Sequence, residues 1–153
     1  MKITAWRIFK ASHARHAFSG IGAKIYGGRW NSRGTAMVYA AGSISLAALE
    51  MLVHLRSRDI LRAYRVCDVA FDEKCVTVVK PSQLPRNWRG NPAPSALQRI
   101  GDEWIAAGAS AVLRVPSAII TSESNFLLNP NHADFRSFIF GTPGTFEFDP
   151  RLT

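Results

Sequence analysis

The sequence predicts an α+β domain, a compact mixed β-sheet core with flanking helices. Three observations predict it. Short stretches with apolar residues at every second position, "LRAYRVCDVAF" (61–71) being the clearest, read as strands. Only two stretches read as clear helices, "LAALEMLVHL" (46–55) and residues 95–107. These helices do not fall between every pair of strands, which argues against a doubly wound parallel sheet. With 153 residues and 47% hydrophobic content, the chain is long enough for one core, and a single domain over residues 1–153 is expected.

In chain order, residues 3–9 read as the first strand. Residues 10–35 hold Gly20, Gly22, Gly27, Gly28 and Gly34 with little periodicity and read as a long irregular segment, a length that usually marks function. "AMVYAA" (36–41) is a short buried strand, and Ser43 or Ser45 offers a cap for the helix that follows. Leu46, Leu49 and Val53 define the predicted buried face of that helix. At roughly 100° per residue, Glu50 lies about 40° from Leu46, on the border of this face. Strands follow at 61–71 and 74–79, then a Pro-rich loop at 80–95 and a helix that ends at Gly108. "SAVLRV" (110–115) is a strand broken by Pro116, and a short helical turn is expected near 131–136. "SFIFGTPGTFEFD" (137–149) reads as a terminal hairpin around "GTPGT".

Charge is placed unevenly. Residues 1–58 carry nine Lys/Arg and a single acid, Glu50, so this segment holds the whole formal excess of +8. The rest of the chain is balanced. Such asymmetry points to an anionic partner: nucleic acid, a phosphate-bearing small molecule or an acidic protein. No apolar run approaches the roughly 20 residues of a membrane span, and the N-terminus lacks the pattern of a secretion signal. A cytoplasmic location and no membrane partner are expected. Cys67 and Cys75 could face each other across adjacent strands, but free thiols are expected in a reducing compartment. His13, His16, His54 and His132 form no ligand spacing, and no metal is expected.

"SGIGAKIYGG" (19–28) lacks the third glycine of a dinucleotide fingerprint and follows no strand directly, which excludes a Rossmann site. There is no phosphate-binding Walker motif and no G-x-S-x-G elbow. The informative stretch is "IYGGRWNSRG" (25–34), where Arg29 offers a planar fork of donors suited to a pyrophosphate and Asn31 adds an amide. Glycines ahead of it let the backbone approach a ligand. Tyr39 supplies an aromatic face, and Glu50 is a carboxylate beside the core that needs a partner or a task. A simple pair of Glu50 with His54 at i, i+4 is the plainer alternative. Ser117 lacks an identifiable base and is a better hydrogen-bond donor than nucleophile.

At these residues the chain resembles the RES domain family, named for an arginine, a glutamate and a serine. The matching stretches are "FSGIGAKIYGGRWNSRGTAMVYAAGSISLAALEMLVHL" (18–55), "VPSAIITSESNFLLNP" (115–130) and "FEFDPRL" (146–152). The family's arginine falls on Arg29, its tyrosine on Tyr39, its glutamate on Glu50 and its serine on Ser117. Tyr26, Asn125 and Asn129 fit the surrounding pattern. The resemblance implies a toxin of a type II toxin–antitoxin pair, with a fold similar to ADP-ribosyltransferases of the diphtheria-toxin type. It implies NAD+ as substrate, cleaved at the nicotinamide–ribose bond by a glycohydrolase or phosphorylase reaction, or used to transfer ADP-ribose to a protein. It also implies a cognate Xre-like helix-turn-helix antitoxin, through which any contact with DNA would be indirect.

Residue chemistry agrees with that expectation. Cleavage of an N-glycosidic bond passes through an oxocarbenium-like state, which a carboxylate can stabilise. Glu50 is expected in that role, Arg29 as a clamp on the diphosphate, Tyr39 as a stacking partner near the nicotinamide or its ribose, and Ser117 as a hydrogen-bond donor to the ligand. A rival of a different class is a basic nucleic-acid-binding module, in which Trp30, Trp88 and nearby arginines stack on bases.

Overall fold

The computed structural model describes residues 1–152. The strands are β1 (Lys2–Lys10), β2 (Val38–Ala41), β3 (Tyr64–Asp72), β4 (Val76–Val78), β5 (Val112–Pro116), β6 (Ser124–Leu128), β7 (Ile139–Phe140) and β8 (Gly144–Phe146). Three α-helices accompany them: α1 (Ile21–Tyr26), α2 (Ile44–Leu52) and α3 (Ser95–Ala107). The sheet order is β4-β5-β6-β2-β1-β3-β7, with β8 also on β3. Every pairing is antiparallel except β4 with β5. That parallel pair needs a long crossover, and α3 lies within it. The mixed α+β class is as expected. No helix among the described residues is long and apolar enough to cross a membrane.

The sheet opens along one seam. β1 pairs with β3 along its whole length, from Lys2↔Asp72 to Lys10↔Tyr64, but meets β2 only at Trp6↔Ala41. Past that point the Arg7 side chain substitutes for the missing ladder and donates from Nη1 to the Tyr39 carbonyl at 2.9 Å. The cleft described below lies at this divergence.

Strand alternation sorts the core. Val38, Ala40, Val112, Phe126 and Leu128 pack together on one face with Ala5, Val69, Phe71 and Phe138. Their neighbours Leu113, Val115 and Leu127 face the other way, onto Leu97 and Trp104 of α3, with Trp30 and Met37. Further along that second side, Leu46 and Ala47 of α2 cover Ile8, Ala41, Tyr64 and Phe148. Trp30 is thus a core residue, 2% exposed, and does not present its ring for stacking.

Several sequence expectations change. Residues 10–35 contain α1, whose Ile21, Ile25 and Tyr26 are exposed, so no buried stripe announces it. β6 sits between β5 and β2, where the sequence suggested no strand. Residues 137–149 form no hairpin: β7 and β8 both pair with β3, at Val69–Ala70 and Tyr64–Val66, as one interrupted edge strand. Pro143 lies in the gap and has no N–H for the ladder, so it breaks the pairing without reversing the chain. The turn near 131–136 is a 3-10 helix at Ala133–Ser137. Cys67 and Cys75 are free thiols, and burial pushes both up.

Helix α2 starts at Ser43, whose side chain accepts the Leu46 amide at 3.1 Å. Its inward face also differs from the expected one. Leu49 and Val53 are exposed, while Leu46 and Ala47 are buried and Met51 packs beside them. The small Ala47 lets the helix lie close to the sheet on that side. This rotation moves Glu50 from the border of the inward face to its middle.

Candidate active site

A cleft of about 800 Å³ opens between the diverging strands, α1, α2 and the Pro-rich loop. Arg29, Tyr39, Glu50, Tyr26 and Asn125 all line it. These five sequence-predicted residues, from distant parts of the chain, are therefore brought to one place.

Glu50 is held from β6 and from the turn that follows β5. Its Oε1 accepts from Ser117 Oγ and from Asn125 Nδ2, each at 2.8 Å. No buried side-chain oxygen among the described residues lacks a hydrogen-bond partner. Since both bonds fall on Oε1, Oε2 is the atom that meets the cleft. No ion pair joins Glu50 to His54 among the described residues.

Ser117 stands behind Glu50. It is fully buried and does not line the cleft. Its hydroxyl donates to Glu50 and accepts the amides of Ile119 and Ile120, both at 3.1 Å. The expected direct bond from Ser117 to a ligand is therefore replaced by a bond to the carboxylate. Pro116 ends β5, and the turn that follows brings the hydroxyl round to α2. Asn129, by contrast, lies outside the cleft lining, where its Oδ1 accepts the Asn131 amide.

Arg29 is anchored on one side. Its Nη1 donates to the carbonyls of Trp88 and Gly90, each at 3.0 Å, so the Pro-rich loop is tied to the cleft wall. Nε and Nη2 remain as donors for an anion. Arg29 sits at the apex of a tight turn closed by the Gly28 amide on the Asn31 carbonyl at 3.0 Å.

Tyr39, Asn31 and Gly28 form one unit. Tyr39 Oη donates to Asn31 Oδ1 at 2.6 Å and accepts the Trp30 amide at 3.0 Å. A Cβ on Gly28 would lie 2.6 Å from Tyr39 Oη, so the second glycine makes room for this hydroxyl. Burial is the main force that holds the Tyr39 phenol far above its ordinary range, and the charge of Asp102 adds to it. Asn31 is fully buried, and its Nδ2 donates to the carbonyls of Ala23, Ser32 and Thr35. It is a strut of the turn and not the ligand amide that the sequence suggested. Tyr26, at the end of α1, is 77% exposed on the cleft rim.

Arg7 and Gln98 are among the polar residues of the cleft that the sequence reading did not single out. Arg7 lines it from β1, and its Nε donates to the Ala17 carbonyl at 2.7 Å. It has no acidic partner among the described residues, and burial lowers it to about 10. A guanidinium held on two carbonyls beside a cleft attracts anions. Gln98 lines the cleft from α3. Only the excess of basic residues in the first third hinted at Arg7, and nothing in the sequence hinted at Gln98.

Residues 4–149 match the RES domain. The Yersinia enterocolitica protein named Toxin Res is 38% identical over 148 residues, covering 96% of this chain and 97% of that protein. The Prs ADP-ribosylating toxin of a Sphingobium species is 39% identical over 157 residues, covering 99% and 98%. Among solved structures, a chain of the Mycobacterium tuberculosis MbcT–MbcA toxin–antitoxin complex aligns with a TM-score of 0.81 at 19% identity, covering 99% of this chain and 87% of its own. That likeness establishes the shared fold. With its Arg29, Glu50 and Ser117 in place and relatives that carry the name of toxin, the chain belongs to the RES domain family.

Proposed function

We propose that this protein is the toxin of a toxin–antitoxin pair and consumes NAD+ by breaking the nicotinamide–ribose bond. The observation that carries this reading is the carboxylate of Glu50, fixed through Oε1 by Ser117 and Asn125 while Oε2 faces a cleft that also holds two arginines. A volume near 800 Å³ suits a ligand the size of a dinucleotide. Arg29 and Arg7, both on the cleft lining, bind the diphosphate. Tyr39, locked by Asn31 and Trp30, provides a rigid aromatic wall. Glu50 stabilises positive charge as it develops on the ribose.

In this reaction the C1′–N bond breaks and its electron pair stays on nicotinamide, which leaves as a neutral pyridine. C1′ then bonds to an acceptor oxygen. If water is the acceptor, its proton passes to solvent and ADP-ribose is released. Phosphate as acceptor gives ADP-ribose 1″-phosphate. Transfer to a protein side chain is the second reading, favoured by the name of the Sphingobium relative. The proposed partner is an Xre-like helix-turn-helix antitoxin, with DNA reached only through it, and the proposed location is the cytoplasm.

The test is incubation of purified protein with NAD+, with and without phosphate and candidate acceptor proteins, and detection of free nicotinamide. Glu50→Gln keeps an acceptor for Ser117 and Asn125 but removes the charge. It is expected to lower kcat about 10²–10³-fold, the scale of one lost electrostatic contact to a transition state. Wild-type protein no faster than Glu50→Gln would sink the proposal.

A further inference from the structure

We propose that α3 is the positioning element for Arg29, and that Gln98 is its principal positioning residue. The inference rests on the reading of Arg29 as the anion-binding residue of the cleft. Gln98 Nε2 donates to the Gly28 carbonyl at 3.0 Å and to the Asn31 carbonyl at 3.3 Å. These two carbonyls are the ends of the tight turn that carries Arg29 and Trp30. One carboxamide thus ties both ends of the turn with its two N–H donors. About one helical turn on, at three and four residues, the same face of α3 continues the contact. A Cβ on Gly101 would run into the Trp30 carbonyl oxygen, so the helix backbone lies directly against the turn. Asp102 Oδ1 accepts the Ser32 amide at 2.9 Å. Positions 98, 101 and 102 share one helix face, and each meets the backbone of residues 28–32.

The direction of the two apex side chains explains why a clamp is needed. Trp30 is buried beneath α3 and Arg29 turns toward the cleft. Two consecutive residues pointing opposite ways from a short turn fix its orientation only while both ends are held. Without Gln98, the Gly28 end keeps its glycine freedom, and the turn shifts beneath a guanidinium that stays tied at Nη1 to the Trp88 and Gly90 carbonyls, so Nε and Nη2 lose their aim.

The experiment measures ADP affinity by calorimetry for wild type, Arg29→Ala, Gln98→Ala and the double variant, with NAD+ turnover in parallel. ADP has the diphosphate but no bond to cleave. Wild type is expected to bind ADP, Arg29→Ala to bind about tenfold more weakly, and Gln98→Ala about fivefold more weakly. The double variant is expected to match Arg29→Ala. On NAD+, Gln98→Ala raises KM by a similar factor and leaves kcat within about twofold, because Glu50 keeps its own supports. The inference is overturned if Gln98→Ala binds ADP as wild type does, if its loss persists in the Arg29→Ala background, or if ADP affinity ignores Arg29. Wild-type protein that binds ADP through Arg29 yet releases no nicotinamide overturns the proposed reaction and leaves the role of Gln98 standing.

Discussion

Ser117→Ala probes the site from its buried side. The hydroxyl makes a 2.8 Å bond to Glu50 and accepts two backbone amides at 3.1 Å, in a position with no solvent exposure. Loss of a hydrogen bond to a carboxylate costs about 1.5–3 kcal/mol, and the two amides lose their acceptor as well. The expected destabilisation is about 3 kcal/mol. At roughly 2–4 °C per kcal/mol for a chain of this size, the melting temperature falls by about 6–12 °C. Asn125 still holds Oε1, so the carboxylate keeps one of its two supports, and kcat is expected to fall about 10- to 100-fold. KM should change little, since Arg29 and Arg7 are untouched. The assay pairs thermal unfolding by circular dichroism with nicotinamide release, measured well below the variant's melting temperature. A variant with the wild-type melting temperature and turnover within twofold would show that Ser117 does not hold Glu50.

Three further outcomes follow from the same structure. Gly101→Ala drives a methyl into the Trp30 carbonyl and is expected to cost about 3 kcal/mol or more, read as a lower denaturant midpoint. Gly28→Ala displaces the Tyr39 hydroxyl, so its penalty should shrink in a Tyr39→Phe background; equal penalties in a double-mutant cycle would refute the crowding. Tyr39 has a folded pKa above that of the unfolded chain, so its contribution is complete below about pH 10 and is lost as pH rises past that value. The stability gap between wild type and Tyr39→Phe, measured by urea unfolding, should therefore narrow above about pH 10.

The sequence carried the site better than it carried the sheet. Arg29, Tyr39 and Glu50 stood out because a charged or aromatic residue beside glycines or beside a core stripe conflicts with a purely structural role. Ser117 stood out too, but its task was misread, because nothing local shows that its hydroxyl faces α2. Asn31 and Trp30 looked like ligand groups and are instead a strut and a core ring. What escaped altogether are contacts made across large separations. Gln98 meets Gly28 and Asn31 from 70 and 67 residues away, and no periodicity encodes such a meeting. α1 escaped because it buries nothing, and β6 because its Phe126, Leu127 and Leu128 are buried on both faces and give no alternation. The basic first third, which suggested nucleic acid as well as a phosphate ligand, sends Arg7 and Arg29 into the cleft.

The supports of Glu50 come 67 and 75 residues after it in the chain, Ser117 from the turn that follows β5 and Asn125 from β6. Synthesis runs from the N-terminus, so the ribosome makes Arg29, Tyr39 and Glu50 long before it makes the residues that aim the carboxylate. A nascent chain therefore carries the charged groups of the cleft without their final arrangement. The same holds for any product that stops short of β6. In a protein whose relatives are named toxins, this order of assembly delays the arrangement of the Glu50 carboxylate until β6 has been made.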